Sequence, residues 1–298
     1  MSQELPAPLG IGLIGLGHHG SRYAKHLLHD MPDARLVAVS RRRAGPGHVL
    51  PSAPTVPCYP DYHQLIADPR VEAVVVVTPP QLNREISVAV AGAKKALLVE
   101  KPLATTAGEA RAIALAAQGS RQVMMTAQTL RFDAAVTALR ERQAQVGALQ
   151  YLSLASRMEP HGMSEEARGF GGRGCVLETG IHLLDLVRLL TGEEIHRVSC
   201  EMDLVPPKGA ERLVLGRLTT GSGLICLLDV SRVTSGRAGR TDRQRGTVIG
   251  GLVRTAGGAG LGPGWCRGLA DRGGTDRAPH VARLCAMRAR RLAASNHH

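Results

Sequence analysis

Residues 12–20 read G-L-I-G-L-G-H-H-G and follow a short apolar run, residues 9–14, of the kind expected for a strand buried on both faces. The spacing Gly15-x-Gly17-x-x-Gly20 constrains the fold more than any other feature of the chain. Gly15 suits a tight turn, Gly17 lets a pyrophosphate approach the backbone, and Gly20 lets the following helix pack against the sheet. That helix, expected over residues 21–29, would aim its N–H groups and positive dipole end at the phosphates, with Leu16, His18 and His19 completing the turn. A second strand, residues 36–39, arrives at the interval of a βαβ unit. Glycine-rich turns are common, and it is this strand-turn-helix context that favours a dinucleotide cradle over an ordinary turn.

The end of the second strand distinguishes between cofactors. An NAD site usually places Asp or Glu there for the ribose 2′-hydroxyl, whereas Arg suits the 2′-phosphate of NADP. The chain reads Ser40-Arg41-Arg42-Arg43, without a carboxylate. A charged hydrogen bond from Arg contributes about 1.5–3 kcal/mol, so the expectation is NADP(H), with Ser40 and Arg41 nearest the phosphate and Arg42 beside them. The alternative is a solvated basic loop.

The alternation of helix and strand then continues. A short helix over 61–67, a buried strand over 71–77, a helix over 83–92, a strand over 96–99, a helix over 106–117 capped by Thr105 or Thr106, and a strand over 123–126 predict a doubly wound parallel sheet. Ligands of such sheets lie at the carboxyl ends of the strands. Thr78-Pro79-Pro80, with Asn83 shortly after, and Glu100-Lys101-Pro102 both fall at such ends. They are candidate cofactor contacts, and Lys101 is also a candidate proton-transfer group; its alternative is a surface lysine that merely follows a strand.

These motifs, together with V-E-K-P-L at 99–103 and L-E-T-G-I-H-L-L-D at 177–185, resemble the family of glucose–fructose oxidoreductase, inositol dehydrogenase and related sugar dehydrogenases (Gfo/Idh/MocA), over roughly residues 9–240. The resemblance implies a Rossmann domain followed by an α/β domain with a large open sheet, which supplies the substrate wall and often the oligomer contact. It also implies reversible hydride transfer between a nicotinamide and a sugar or polyol carbon, with Lys101, Glu178 and His182 as the matching catalytic and substrate-contacting residues. The chain departs from the pattern with Glu178 where many relatives have Asp, with Arg173 inside a glycine run, and with Asn83 where a histidine often follows the Thr-Pro-Pro turn.

The spacing has its own chemical logic. Residues 176–190 have helical periodicity, which puts Glu178 and His182 on one face, and Asp185 is expected to hold the imidazole in one tautomer. Histidine suits removal of a hydroxyl proton as hydride leaves, and lysine can steady the developing alkoxide. A satisfied helix histidine is the alternative for His182. Gln128 and Arg131 follow the last strand of the first sheet. Either would touch nicotinamide or substrate, or Arg131 would pair with a carboxylate instead.

Further along, a helix over 133–142 and strands over 148–157, 197–204, 212–219 and 224–230 are expected. Thr220-Gly221-Ser222-Gly223 joins the last two as a hairpin, so the second sheet should be mostly antiparallel. The expected division is a Rossmann domain over 1–128, a substrate and oligomerisation domain over 129–242, and an atypical tail over 243–298. From Arg243 onward the chain has no Lys, Glu, Phe or Tyr and is dominated by Gly and Arg, which reads as an out-of-frame or disordered segment that leaves the second sheet incomplete.

Composition narrows the function classes. Hydrophobic residues at 44% suffice for two cores, but aromatics at 2% leave these to Ala, Val and Leu. Six cysteines, Cys58, Cys175, Cys200, Cys226, Cys266 and Cys285, have neither disulfide nor metal-ligand spacing, which predicts free thiols, a cytoplasmic setting and no bound metal. The N-terminus lacks a basic segment before its apolar run, so neither a signal peptide nor a membrane helix is expected. Half of the net charge of +12 comes from residues 246–298, with eight Arg against two Asp, and no aromatic platform accompanies it, so nucleic acid is not an expected partner. The leading reading is an NADP-dependent oxidoreductase with a small sugar or polyol substrate, able to associate through its second sheet. The alternative is a non-catalytic dinucleotide-binding regulator or an inactive family member.

Overall fold

A computed structural model of the chain describes residues 7–42, 53, 55–157, 174–205, 210–232 and 246–252. These form two compact units, the first ending at Ala127 and the second beginning at Gln128.

The first unit contains β1 (Leu9–Ile14), α1 (His18–His29), β2 (Ala34–Ser40), β3 (Cys58–Tyr59), α2 (Tyr62–Ala67), β4 (Ala73–Val76), α3 (Asn83–Gly92), β5 (Ala96–Glu100), α4 (Ala107–Ser120) and β6 (Met124–Ala127). All strand pairings are parallel, and the order is β3-β2-β1-β4-β5-β6. This is the dinucleotide-fold order, which reverses direction between β1 and β4. The central strands β1, β4 and β5 are buried along their whole length. Their alternate residues feed two cores, one on each face: Ile11, Leu13, Val75 and Leu98 on one side, Val74, Val76, Leu97 and Val99 on the other. Runs of β-branched and aliphatic residues are what two-sided burial demands. Asp61 caps α2 through the His63 N–H, and Thr106 forms a reciprocal capping box with Glu109 on α4.

The second unit contains α5 (Ala134–Val146), β7 (Tyr151–Arg157), α6 (Ile181–Thr191), β8 (Ile195–Val205), β9 (Ala210–Thr220), β10 (Ile225–Ser231) and β11 (Gly246–Leu252). The sheet order is β11-β7-β10-β9-β8. The 220–223 hairpin joins antiparallel β9 and β10 as expected, but β10 also pairs with β7 in parallel, so the sheet is mixed. The chain leaves β7 and reaches β8 by way of α6, and this crossover allows parallel neighbours that hairpins cannot make. Leu183, Leu186, Val187 and Leu190 of α6 pack with Leu152, Leu154, Val214, Leu218, Cys226 and Leu228 from the sheet.

Strand β11 lies in the glycine-rich stretch where alternation in the sequence gives no strand; it pairs antiparallel with β7. The out-of-frame or disordered tail was expected over residues 243–298, and β11 falls inside it as a paired strand; residues 243–245 and 253–298 lie outside the described residues, as do the loop at 158–173 and Arg43. Cys58, Cys175, Cys200 and Cys226 are free thiols, and Cys266 and Cys285 lie outside the described residues.

Candidate functional site

In the first unit the glycine turn has the geometry of a cradle. Gly15 has φ +98°, and a Cβ there would lie 2.2 Å from the Val77 carbonyl oxygen. A Cβ at Gly20 would lie 1.9 Å from the Gly15 carbonyl oxygen, so helix and turn close up only because that atom is missing. A Cβ at Gly17, by contrast, would meet nothing within 4 Å. Gly17 is also the N-cap of α1, and no side chain caps the helix. Space beside an exposed backbone, at the positive end of an uncapped helix, fits a dinucleotide pyrophosphate. Leu16 is half-buried in the turn, while His18 and His19 are exposed and stack edge to face.

At the end of β2, Ser40 is buried and its carbonyl accepts the Gly15 N–H at 2.9 Å, so this residue braces the turn. Arg41 and Arg42 are exposed, and the Arg41 N–H is held by the Tyr59 carbonyl. At the end of β4, Thr78 is half-buried, Pro79 exposed and Pro80 buried at the start of a single 3-10 turn, Pro80–Leu82.

Asn83, expected at the cofactor, has its carboxamide engaged within the protein. At 1% exposure its carboxamide donates to the carbonyls of Pro102 (2.9 Å) and Glu100 (3.4 Å) and accepts from the Thr78 hydroxyl (3.1 Å). A buried amide needs such partners, and these tie the exits of β4 and β5 together. Glu100 is likewise buried, at 7% exposure, and its carboxylate accepts from the Tyr23 hydroxyl and the Lys101 N–H. Lys101, which follows it across a half-buried turn with a cis bond to Pro102, is the member of the motif at the carboxyl end of the sheet that remains partly exposed.

In the second unit, Glu178 lies in a π-helical turn, Val176–Gly180, that leads into α6 and thus replaces the first turn of the expected α-helix. Single π-turns within helices are frequent at functional sites. The turn is held by the Glu211 carboxylate, which accepts the Val176 N–H at 3.1 Å, and by Gly180, which fits closely beside Val230. The Glu178 carboxylate forms an ion pair with Arg232, the residue just after β10, whose side chain is 5% exposed. Sequence reasoning missed Arg232 because no spacing rule links it to a helix 54 residues earlier; only the fold of the sheet brings them together.

His182, half-buried on the first turn of α6, has its Nδ1 2.9 Å from Oε1 of Gln128. Asp185 was expected to hold this imidazole, but both its oxygens accept from Arg131 (Nε and Nη2, 2.7 Å each). Gln128 is the N-cap of a 3-10 turn, Thr129–Phe132, and Arg131 lies within it, so two side chains three residues apart engage two positions of α6 with the same spacing. Of the roles open to Arg131, the structure supports the carboxylate pair. Gln128 is engaged by the histidine. Among the described residues no cluster of three or more His, Cys, Asp or Glu side chains could hold a metal, and no helix is long and apolar enough to cross a membrane.

Two family models match the chain. The family described as an oxidoreductase family with an NAD-binding Rossmann fold matches residues 9–128, and the GFO/IDH/MocA C-terminal domain matches residues 142–251. The chain is 29% identical over 243 residues to a myo-inositol 2-dehydrogenase of Thermotoga maritima, covering 80% of this chain and 70% of that protein. It is 27% identical over 190 residues to the scyllo-inositol 2-dehydrogenase (NAD(+)) of Bacillus subtilis, covering 63% of this chain and 55% of that protein. Among solved structures, a probable dehydrogenase from Thermotoga maritima superposes with a TM-score of 0.69 at 27% identity, covering 83% of this chain and 76% of that one. The first match spans the sheet that carries the glycine cradle and Lys101, the second spans the helix and sheet that carry Glu178 and His182, and the chain therefore belongs to the Gfo/Idh/MocA oxidoreductase family.

Proposed function

We propose that the chain catalyses hydride transfer between a nicotinamide dinucleotide and a CH–OH carbon of a polyol of the inositol class. The observation that carries this reading is the placement of Lys101 at the carboxyl end of β5, in the same parallel sheet whose β1–α1 turn forms the empty-sided cradle at Gly17. When bound, the nicotinamide supplies the hydride acceptor in oxidation and the donor in reduction. In the oxidation direction the carbon gives up its hydride and the hydroxyl its proton, leaving a ketone. His182 takes that proton at Nε2, because Nδ1 faces an acceptor oxygen and therefore carries hydrogen. Lys101 contributes a positive charge for the developing alkoxide. Glu178, paired with Arg232, provides fixed negative charge near the substrate and does not take part as a proton acceptor.

The finer cofactor preference follows from β2, which ends without a carboxylate and is followed by exposed Arg41 and Arg42; this supports NADP(H). The scyllo-inositol 2-dehydrogenase of Bacillus subtilis is an NAD(+) enzyme, so NADH is the competing ligand. Leu215, Ile225 and Leu227 are exposed on the second sheet and support a homo-oligomer contact there. A soluble cytoplasmic enzyme is the corresponding expectation for location.

Fluorescence titration with NADPH and NADH, repeated on Arg41→Asp, tests the cradle. A screen of inositols and sugar alcohols for nicotinamide reduction then tests the reaction. Tighter NADPH binding that Arg41→Asp reverses, followed by turnover of an inositol, is the expected result. Absence of binding to either dinucleotide would remove the reading.

A further inference from the structure

Glu100 has no part in the proton transfer described above, yet it is a buried carboxylate at the functional end of β5. A carboxylate withdrawn from water persists where donors satisfy it. Its Oε1 accepts from the Tyr23 hydroxyl at 3.0 Å, and its Oε2 accepts from the backbone N–H of Lys101 at 3.0 Å. Tyr23 is fully buried and belongs to the second turn of α1, the helix that starts at the glycine cradle. Its ring is part of the apolar core on that face of the sheet, among residues such as Ile11 and Leu98. A phenylalanine would fill the same space, so the hydroxyl is the part of the side chain with a polar task. The carbonyls on either side of Lys101, those of Glu100 and Pro102, are held by Asn83. The peptide that carries the lysine is thus fixed by its N–H through Glu100 and by its flanking carbonyls through Asn83.

We propose that Tyr23 is a positioning residue for Lys101, acting through the Glu100 carboxylate, so that the helix facing the dinucleotide also sets the lysine at the end of β5. This rests on the reading of Lys101 as a reacting group at the dinucleotide site. Removing the hydroxyl takes the Tyr23 hydrogen bond from Oε1, the carboxylate shifts, and its hold on the Lys101 N–H changes with it. The lysine then moves relative to a cradle that is itself unchanged. Misplacement of a reacting group by about 1 Å costs up to about 100-fold in rate.

The test uses the full chain as wild type, Tyr23→Phe and Glu100→Gln. Each is labelled with trace acetic anhydride, and the modification of Lys101 is measured by peptide mass spectrometry relative to Lys25 and Lys94, which are exposed. Dinucleotide affinity is measured in parallel. The expected result is a change of about threefold or more in the relative labelling of Lys101 in both variants, with dinucleotide Kd within about twofold of wild type. In turnover, kcat should fall by about tenfold or more while KM changes little. Unchanged Lys101 labelling in Tyr23→Phe overturns the proposal, as does a loss of dinucleotide affinity in step with the labelling, which would show general loosening of α1. If wild type turns over no polyol, the reading of the reaction fails, while the labelling ratio still decides the role of Tyr23.

Discussion

Oε1 of Gln128 lies 2.9 Å from Nδ1 of His182. An amide oxygen only accepts hydrogen bonds, so the imidazole keeps its hydrogen on Nδ1 and has Nε2 as its basic nitrogen. Gln128 thereby orients the histidine, although its place directly after the first sheet suggests a cofactor contact. Gln128→Leu should lower kcat/KM for the polyol by about 10–100-fold, with dinucleotide Kd within about twofold of wild type. Gln128→Glu should instead move the acidic limb of the pH–rate profile to higher pH, because a carboxylate favours the imidazolium. An unmoved limb would refute the contact in solution.

The three glycines of the cradle should separate on substitution. Gly17→Ala places its methyl group in open space, so thermal stability should hardly change while dinucleotide affinity drops by about tenfold or more. Gly20→Ala meets the Gly15 carbonyl and should lower both stability and affinity. Paired melting curves and fluorescence titrations measure the two effects side by side.

Arg232 and Glu178 form a largely buried ion pair. Removing one partner of such a pair strands the other charge, which costs about 3–5 kcal/mol. Arg232→Leu should therefore destabilise the protein strongly in urea unfolding, whereas Arg232→Leu combined with Glu178→Leu should recover part of that loss yet remain inactive. Recovery of activity in the double variant would rule out Glu178 as part of the site.

Asp68 supplies a pH dependence of stability. Hydrogen bonds from the Arg70 guanidinium, with help from the Tyr59 hydroxyl, hold its carboxyl down from 3.8 to about 2 against the opposing effect of burial. A folded-state value below the unfolded one stabilises above about pH 4, and that stabilisation disappears as pH falls toward 2. At 6% exposure the shift corresponds to about 2 kcal/mol. Asp68→Asn should cost roughly that much at pH 7 and progressively less below pH 4, as measured by urea unfolding across pH. A gap between wild type and variant that stays constant down to pH 2 would contradict the assignment.

The local pattern of residues determined a good deal about this protein. Apolar runs at β1, β4 and β5, glycines at 15, 17 and 20, and capping residues such as Thr106 act over a few neighbouring positions, so the parallel sheet and its cradle are legible without coordinates. The candidate catalytic side chains Lys101, Glu178 and His182 are legible for the same reason, since each belongs to a short motif. Their partners are another matter. Only the tertiary structure decided that Gln128 and not Asp185 holds His182, that Arg131 takes Asp185, that Arg232 faces Glu178 and that Tyr23 reaches Glu100. It also decided that Asn83 is turned inward and that β10 runs parallel to β7. Each of these depends on contacts between residues far apart in sequence, formed when buried polar groups take whichever partner the packed elements bring within reach; no local spacing encodes that choice.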